Sequence, residues 1–264
     1  MIPKRFIQEW SQQAPWNLPE HIEQDLIISR ALVALFSDEF LSDNLAFRGG
    51  TALHKLFLDP APRFSEDIDL VQIKKGPIKP ILKQIDKVID FFEQKRVVKV
   101  KANNNTIIYR FNSEFNSDTR MRLKIEINCR EHFHLLPWQF FPYKMKNDWF
   151  TGITSIRTYD VHELLGTKLR ALYQRRKGRD LFDLYFAAQH LLLDNEKILD
   201  VYQKYIAFAV NTLPTYKQFL QNLKEKENNK EFTGDTEGLL RQEIIYDETK
   251  AFEWLRLELL EKLR

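Results

Sequence analysis

The chain has 264 residues, 44% of them hydrophobic and 29% charged, with 8 glycines, 10 prolines and a single cysteine, Cys129. This is a globular composition, long enough for one large domain or two modest ones. It excludes low-complexity and collagen-like chains, an internal disulfide framework and a multi-cysteine zinc site. No window approaches the roughly 18 apolar residues of a membrane span. The opening residues, with Lys4, Arg5, Gln8 and Glu9, lack the apolar core of a signal peptide, so the chain reads as cytoplasmic with no membrane partner. Charge is spread unevenly. Residues 71–186 hold 23 basic and 12 acidic side chains (net +11), against 6 and 11 in 1–70 and 11 and 14 in 187–264. Such a middle suits a surface that meets a polyanion, or a solvated lysine-rich face.

In chain order, apolar residues at helical spacing over 20–42 (Ile22, Leu26, Ile27, Leu32, Leu35, Phe36) predict a helix. Leu45-Ala46-Phe47 predicts a short strand ending at Gly49-Gly50, and Thr51 is placed to cap a helix through Leu58, which Asp59-Pro60-Ala61-Pro62 stops. Ile68–Ile73 reads as a strand and Ile78–Gln94 as an amphipathic helix. Three β-like runs follow, Val97–Val100, Thr106–Phe111 and Met121–Asn128. In the last, Met121, Leu123, Ile125 and Ile127 face one way and Arg122, Lys124, Glu126 and Asn128 the other. After about residue 158 only helices are expected, at 159–176, 179–192, 196–210, 214–226 and 249–263, with 228–238 as the most mobile loop. The layout is α+β over 1–158 followed by an all-α half over 159–264.

The sharpest feature is Arg63-Phe64-Ser65-Glu66-Asp67-Ile68-Asp69-Leu70, an Asp-x-Asp at the start of an apolar strand. Residues two apart on a strand share a face, about 6–7 Å apart. Two carboxylates there repel unless protons or a cation neutralise them, and hard oxygen ligands favour magnesium. Alone, the pattern also fits an acidic loop end. Three neighbours strengthen the catalytic reading. Gly49-Gly50, between a strand and a helix, lets backbone N–H groups approach a phosphate, although a glycine pair equally makes a turn. Glu126, on the polar face of its strand, can add a third carboxylate or simply pair with Lys124 or Arg122. Arg63 and Ser65 precede the aspartates and can contact phosphate.

Gly49-Gly50-Thr51-Ala52-Leu53 followed by Arg63 through Leu70 resembles the first motif of the AbiEii/AbiGii toxin family, within the DNA polymerase β-like nucleotidyltransferase superfamily. Glu126 in Lys124-Ile125-Glu126-Ile127-Asn128 matches the family's later strand acid. Lys168-Leu169-Arg170-Ala171-Leu172 with Arg175, Lys177, Arg179-Asp180 and Asp183-Leu184 resembles its downstream basic helix motif. The likeness covers roughly 45–190. It implies a nucleotidyltransferase-like mixed sheet flanked by helices, then a C-terminal helical bundle that contributes the Lys/Arg/Asp motif to the active-site cleft. It also implies functional roles for Lys168 and Asp183.

In an unbroken helix Lys168, Arg175 and Arg179 share a face; alternatively, Gly178 ends one helix and begins another, leaving Asp180 near the new N-terminus as a cap. The segment is then a triphosphate clamp or an exposed basic helix. Asp183 positions Lys168 or the acceptor hydroxyl, or neutralises Arg179. His132 and His134 read as structural or exposed, or as a metal pair, Cys129 as a small buried or half-buried residue, and Tyr109, Phe111, Trp138 and Trp149 as core aromatics or, for a few, platforms for a base. Phe252, Leu255, Leu259 and Leu263 form a packing stripe.

The expected activity is transfer of an NMP from an NTP. Asp67, Asp69 and Glu126 bind Mg2+, or Mn2+ in its place, and Glu126 helps deprotonate the acceptor. Two metals about 3.5–4 Å apart would stabilise the attacking and leaving oxygens. Gly49, Gly50, Thr51, Arg63, Ser65, Lys168, Arg175 and Arg179 hold the triphosphate, and Asp183 completes the catalytic set. The resemblance implies an RNA acceptor, a tRNA 3′ end, together with growth inhibition and a cognate antitoxin. Two other readings use the same pocket: an NTP-binding regulatory module with little turnover, and nucleotidyl transfer to a protein or small molecule.

Overall fold

A computed structural model describes residues 2–92, 96–210 and 212–263. The fold is α+β, with two compact units, Met1–Tyr159 and Asp160–Arg264. The first unit contains α1 (Lys4–Trp10), α2 (Pro19–Ser37), α3 (Glu39–Asn44), β1 (Leu45–Arg48), α4 (Gly49–Leu56), β2 (Asp67–Gln72), α5 (Ile78–Val88), β3 (Val97–Lys99), β4 (Asn104–Asn112), β5 (Arg120–Asn128), β6 (Gln139–Asn147) and β7 (Phe150–Thr158). Its strands form one mixed sheet of seven in the order β3-β4-β5-β2-β1-β7-β6. β2 pairs antiparallel with β1 and parallel with β5, so the strand that starts with the aspartates is central.

The buried rows of that sheet are Ile68, Leu70, Ile107, Leu123, Ile125 and Ile127, all at or below 1% exposure. Helix α2 packs against β5, β6 and β7 and is covered nearly all round. Its buried polar residues each find partners. Glu23 accepts from Ser113 Oγ at 2.8 Å, and burial raises its pKa. Asp25 accepts from Trp10 Nε1 at 2.9 Å and from Lys55 Nζ at 2.8 Å. Gln24 donates to the carbonyls of Glu66 (3.1 Å) and Arg122 (3.0 Å).

Several expected elements are corrected. The single helix over 20–42 is two helices, because Asp38 takes an extended conformation and its side chain caps α3 at Leu41 N. Thr51 does not cap α4; the helix begins at Gly49, and the Thr51 hydroxyl turns toward the chain before β2. Helix α5 ends at Val88, six residues before the expected end, whose last two residues, Glu93 and Gln94, lie outside the described ones. The β6–β7 hairpin has no counterpart in the sequence reading. Its inward row mixes Gln139, Asn147, Gly152 and Thr154 with apolar residues, while Phe140 and Ile153 point outward, so the period-two signal is erased. Pro142 further disguises β6, which is an edge strand that tolerates it.

The second unit comprises α6 (Val161–Gln174), α7 (Gly178–His190), α8 (Asn195–Ala209), α9 (Tyr216–Glu227), α10 (Lys230–Thr233) and α11 (Glu248–Trp254). Side chains of Asp160, Asp194, Thr215, Asn229 and Asp247 cap α6, α8, α9, α10 and α11. Residues 228–238 are not an open loop. They form α10 and a short 3-10 turn, with Phe232 and Thr236 buried. After α11 the chain continues as a π turn over Leu255–Leu259 and a 3-10 turn over Leu260–Leu263, which keep Leu255 and Leu259 inside.

Helices α6 and α8 pack closely at Gly166. A Cβ there would lie 2.6 Å from Val201 Cβ and 2.9 Å from the Ile198 carbonyl oxygen. The helix-propensity gain of alanine cannot offset that overlap, since one contact is backbone. Gly166→Ala is expected to lower unfolding stability by about 1–3 kcal/mol, read from the urea midpoint at unchanged m-value.

Candidate active site

Strand β1 is buried up to Phe47 and ends at Arg48, directly before Gly49. Gly49 has φ +79, and a Cβ on it would lie 2.8 Å from both Asp69 Cβ and Cγ. Left-handed backbone and close approach therefore both demand glycine at this point. Gly50 backs onto Arg63, whose Nη2 would sit 2.6 Å from an added Cβ. The first turn of α4 has no side-chain cap, so its backbone donors are of the type that binds an anion.

The segment before β2 is fixed from behind. Thr51 Oγ1 donates to the Asp67 carbonyl at 2.5 Å and lies 2.7 Å from Ser65 Oγ. Arg63 is 2% exposed and donates through Nη1 to the Phe64 carbonyl at 3.0 Å. Asp67 and Asp69 then emerge on one face of β2. The parallel register sets Asp67 beside Lys124 and Asp69 beside Glu126, so all four side chains share that face.

Lys124, weighed in the sequence only as a neighbour for Glu126, lies between the acids: Nζ is 2.7 Å from Asp67 Oδ2 and 3.1 Å from Glu126 Oε1. Burial alone would lower its pKa; the hydrogen bond and charge of Asp67, with Glu126 behind, hold it above the ordinary lysine value. Asp67 Oδ1 is buried with no hydrogen-bond partner among the described residues. An unpartnered carboxylate oxygen beside two further acids is a donor set suited to a hard cation. Among the described residues no cluster of three His, Cys, Asp or Glu side chains is already gathered for a metal. A cation at Asp67 and Glu126 thus competes with the Lys124 ammonium.

The basic motif folds as two helices, not one. Arg175 is extended (φ −135, ψ 167) and α7 begins at Gly178, where a Cβ would collide with the Phe232 carbonyl. Of the two arrangements the sequence allowed, the break at Gly178 holds, and the common face of Lys168, Arg175 and Arg179 in an unbroken helix does not form. Lys168, on α6, is 8% exposed and lies 3.2 Å from Asp180 and 2.8 Å from Asp183, both fully buried on α7. Arg175 forms a bidentate pair with Asp180, at 2.7 and 2.9 Å, and keeps its side chain 54% exposed. Arg179 instead joins Asp235 through Nε at 3.0 Å and Nη2 at 3.2 Å. Asp180, expected as a helix cap, is the shared acid of the cluster. Burial would raise its pKa, but Lys168 and Arg175 hold it below the ordinary carboxylate range. The signal for this role was the i, i+3 spacing of Asp180 and Asp183 on one helix face.

The structure thus gathers Gly49, Gly50, Thr51, Arg63, Ser65, Asp67, Asp69 and Glu126 in the first unit. It gathers Lys168, Arg175 and Asp183 around Asp180 in the second and sets Arg179 with Asp235. His132 and His134 each place Nδ1 on a backbone carbonyl, of Gln72 (2.8 Å) and Leu136 (2.7 Å). Cys129 Sγ accepts from Asn105 at 3.2 Å, and burial raises its thiol pKa. No helix of the described residues is long and apolar enough to cross a membrane.

The chain matches the family described as "Nucleotidyl transferase AbiEii toxin, Type IV TA system" over residues 30–256. Comparison with curated proteins gives no match. Among solved structures it is similar to JHP933 from Helicobacter pylori, at 22% identity and a TM-score of 0.57, covering 92% of each chain. It is similar also to MenT4, a nucleotidyltransferase toxin from Mycobacterium tuberculosis, at 14% identity and a TM-score of 0.57, covering 100% of this chain and 98% of the other.

Because the Asp180 pKa is depressed on folding, its ionisation stabilises the native state fully above the unfolded value of about 3.9 and progressively less as pH falls through the folded value. Asp180→Asn, which removes the acid shared by Lys168 and Arg175, is expected to cost about 3–5 kcal/mol at pH 7. That penalty should shrink toward pH 3 in denaturant titrations of both proteins; a penalty independent of pH would contradict the assignment.

Proposed function

The chain belongs to the AbiEii nucleotidyl transferase toxin family of toxin–antitoxin systems, and we propose that it transfers an NMP from an NTP to the 3′ end of an RNA, a tRNA, in a magnesium-dependent reaction. The observation that carries this reading is the parallel register that sets Asp67, Asp69 and Glu126 on one face beside the Gly49 turn. A bound divalent cation, Mg2+ or Mn2+, supplies charge neutralisation at the attacking and leaving oxygens. Asp67, Asp69 and Glu126 are the residues that would hold it.

In this reading the chain's own groups do the following. Gly49, Gly50 and the uncapped first turn of α4 present backbone donors to the triphosphate. Thr51, Ser65 and the buried Arg63 brace that turn and the Asp67 backbone, rather than reaching phosphate themselves. The acceptor hydroxyl oxygen forms a bond to the α-phosphorus as the bond to pyrophosphate breaks, and Glu126 takes the hydroxyl proton. On the helical unit, taken by itself, Arg175 keeps an exposed guanidinium able to meet a phosphate, with Asp180 fixing its orientation. Lys168 is held between Asp180 and Asp183, and Asp183 positions it. Arg179, bound to Asp235, acts on the fold of 230–236 and not on the nucleotide. A cognate antitoxin is the expected protein partner.

The purified protein and Asp67→Asn are to be incubated with each α-labelled NTP, magnesium and total tRNA, following label into RNA, protein and pyrophosphate. Expected is label in RNA that falls to background in Asp67→Asn at unchanged melting temperature. Label in protein, or NTP binding without label in any acceptor, would replace the RNA reading. Label in RNA undiminished in the variant would sink the assigned mechanism.

A further inference from the structure

The face of β5 that carries Glu126 and Lys124 continues, two residues at a time, to Arg122 and Arg120. Arg110 of β4 stands directly opposite Arg122. Three arginines therefore extend the row that begins at the carboxylates, in steps of about 7 Å. They line an open cleft of about 470 Å³, whose other wall is the start of α2 and the segment before β2. Arg122 lies 3.6 Å from Glu66. Arg110 and Arg120 are exposed and have no acidic partner among the described residues. Like charges facing each other across an antiparallel pair are destabilising, and an anion in the cleft would relieve them.

The same cleft contains an aromatic platform. The His21 ring stacks on Phe64 at 3.8 Å and 8°, and Trp16 meets Phe64 edge-on at 5.5 Å. Phe64 is buried and His21 only partly so, which leaves the imidazole as the face presented to a ligand. Burial lowers the His21 pKa from its ordinary value, against the raising effect of the Glu20 and Glu66 carboxylates that also line the cleft. Gln24 fixes the geometry by bonding both walls, at Glu66 and Arg122.

We propose that this cleft binds the single-stranded 3′ end of the acceptor RNA, with a base stacked on His21 and backbone phosphates on Arg110 and Arg120. The proposal rests on the reading that the acceptor is RNA. An NTP concentrates its charge at the reacting triphosphate, whereas a strand places one phosphate per nucleotide along a path leading away from it. A row of cations with an aromatic platform fits the second distribution.

The test uses the full chain and a fluorescent single-stranded RNA of about ten nucleotides, within the usual site size, ending in a tRNA 3′ sequence. Binding is read by anisotropy across a salt series, with transfer to tRNA assayed in parallel. The double variant Arg110→Ala/Arg120→Ala should weaken RNA binding by about tenfold or more and flatten the log–log salt slope by about 0.7 per arginine, with NTP binding unchanged. His21→Ala should weaken binding at an unchanged slope, and His21→Phe should restore it, which a merely structural histidine would not do. Wild-type affinity and slope in the double variant, or no RNA binding by the wild type, overturns the proposal. If transfer to RNA persists in that case, the functional reading stands without it. Arginine-dependent binding without transfer to RNA supports the cleft and removes the functional reading instead.

Discussion

Everything at the carboxylate face follows from how β2 is paired on its two sides. Toward β5 the pairing is parallel and sets Asp69 beside Glu126; toward β1 it is antiparallel and sets Asp69 beside Arg48. The second pairing delivers Gly49, the next residue, onto the Asp69 side chain, which explains why the turn cannot carry a Cβ. A slip of one residue in either ladder would send the acids to the apolar face, where Ile68 and Leu70 now lie fully buried. Register here is thus fixed by the hydrophobic core and then used by polar chemistry.

Charge is handled differently in the two units. On the β2–β5 face one ammonium bridges Asp67 and Glu126, and Asp67 Oδ1 has no hydrogen-bond partner among the described residues. Around α6 and α7, by contrast, Lys168 and Arg175 meet Asp180 and Asp183, and the formal charges cancel. The first arrangement retains attraction for a cation. The second pairs its cations and acids with one another, while half of Arg175 faces solvent. Burying two carboxylates without both cations would be costly, which makes the helix break at Arg175 part of the electrostatics and not only of the chain path.

Much of this was legible in the sequence. Asp67, Asp69 and Glu126 could be placed on strand faces from alternation alone, since β5 keeps a clean apolar row at Leu123, Ile125 and Ile127. That Lys124 belongs with Asp67 was not legible, because it depends on parallel pairing between strands separated by α5, β3 and β4. The hairpin of β6 and β7 escaped because its inward row is half polar, and residues 228–238 escaped because their order depends on distant partners, Asp235 on Arg179 above all. The burial of Asp180 was likewise hidden: an acid in the first turn of a helix is locally satisfied, and only tertiary contact shows that its partners are Lys168 and Arg175.

Gln24 has a consequence of another kind. The parallel ladder of β2 and β5 begins at Asp67 and Lys124, and just before it Glu66 and Arg122 each present a carbonyl to the Gln24 side chain. The Gln24 carboxamide bonds both and acts as one added rung, supplied by a helix. The open end of the two strands is therefore tied by a side chain from outside the sheet. A glutamate of equal length would bring acceptors to acceptors, and the ladder would fray from the end where the carboxylates begin.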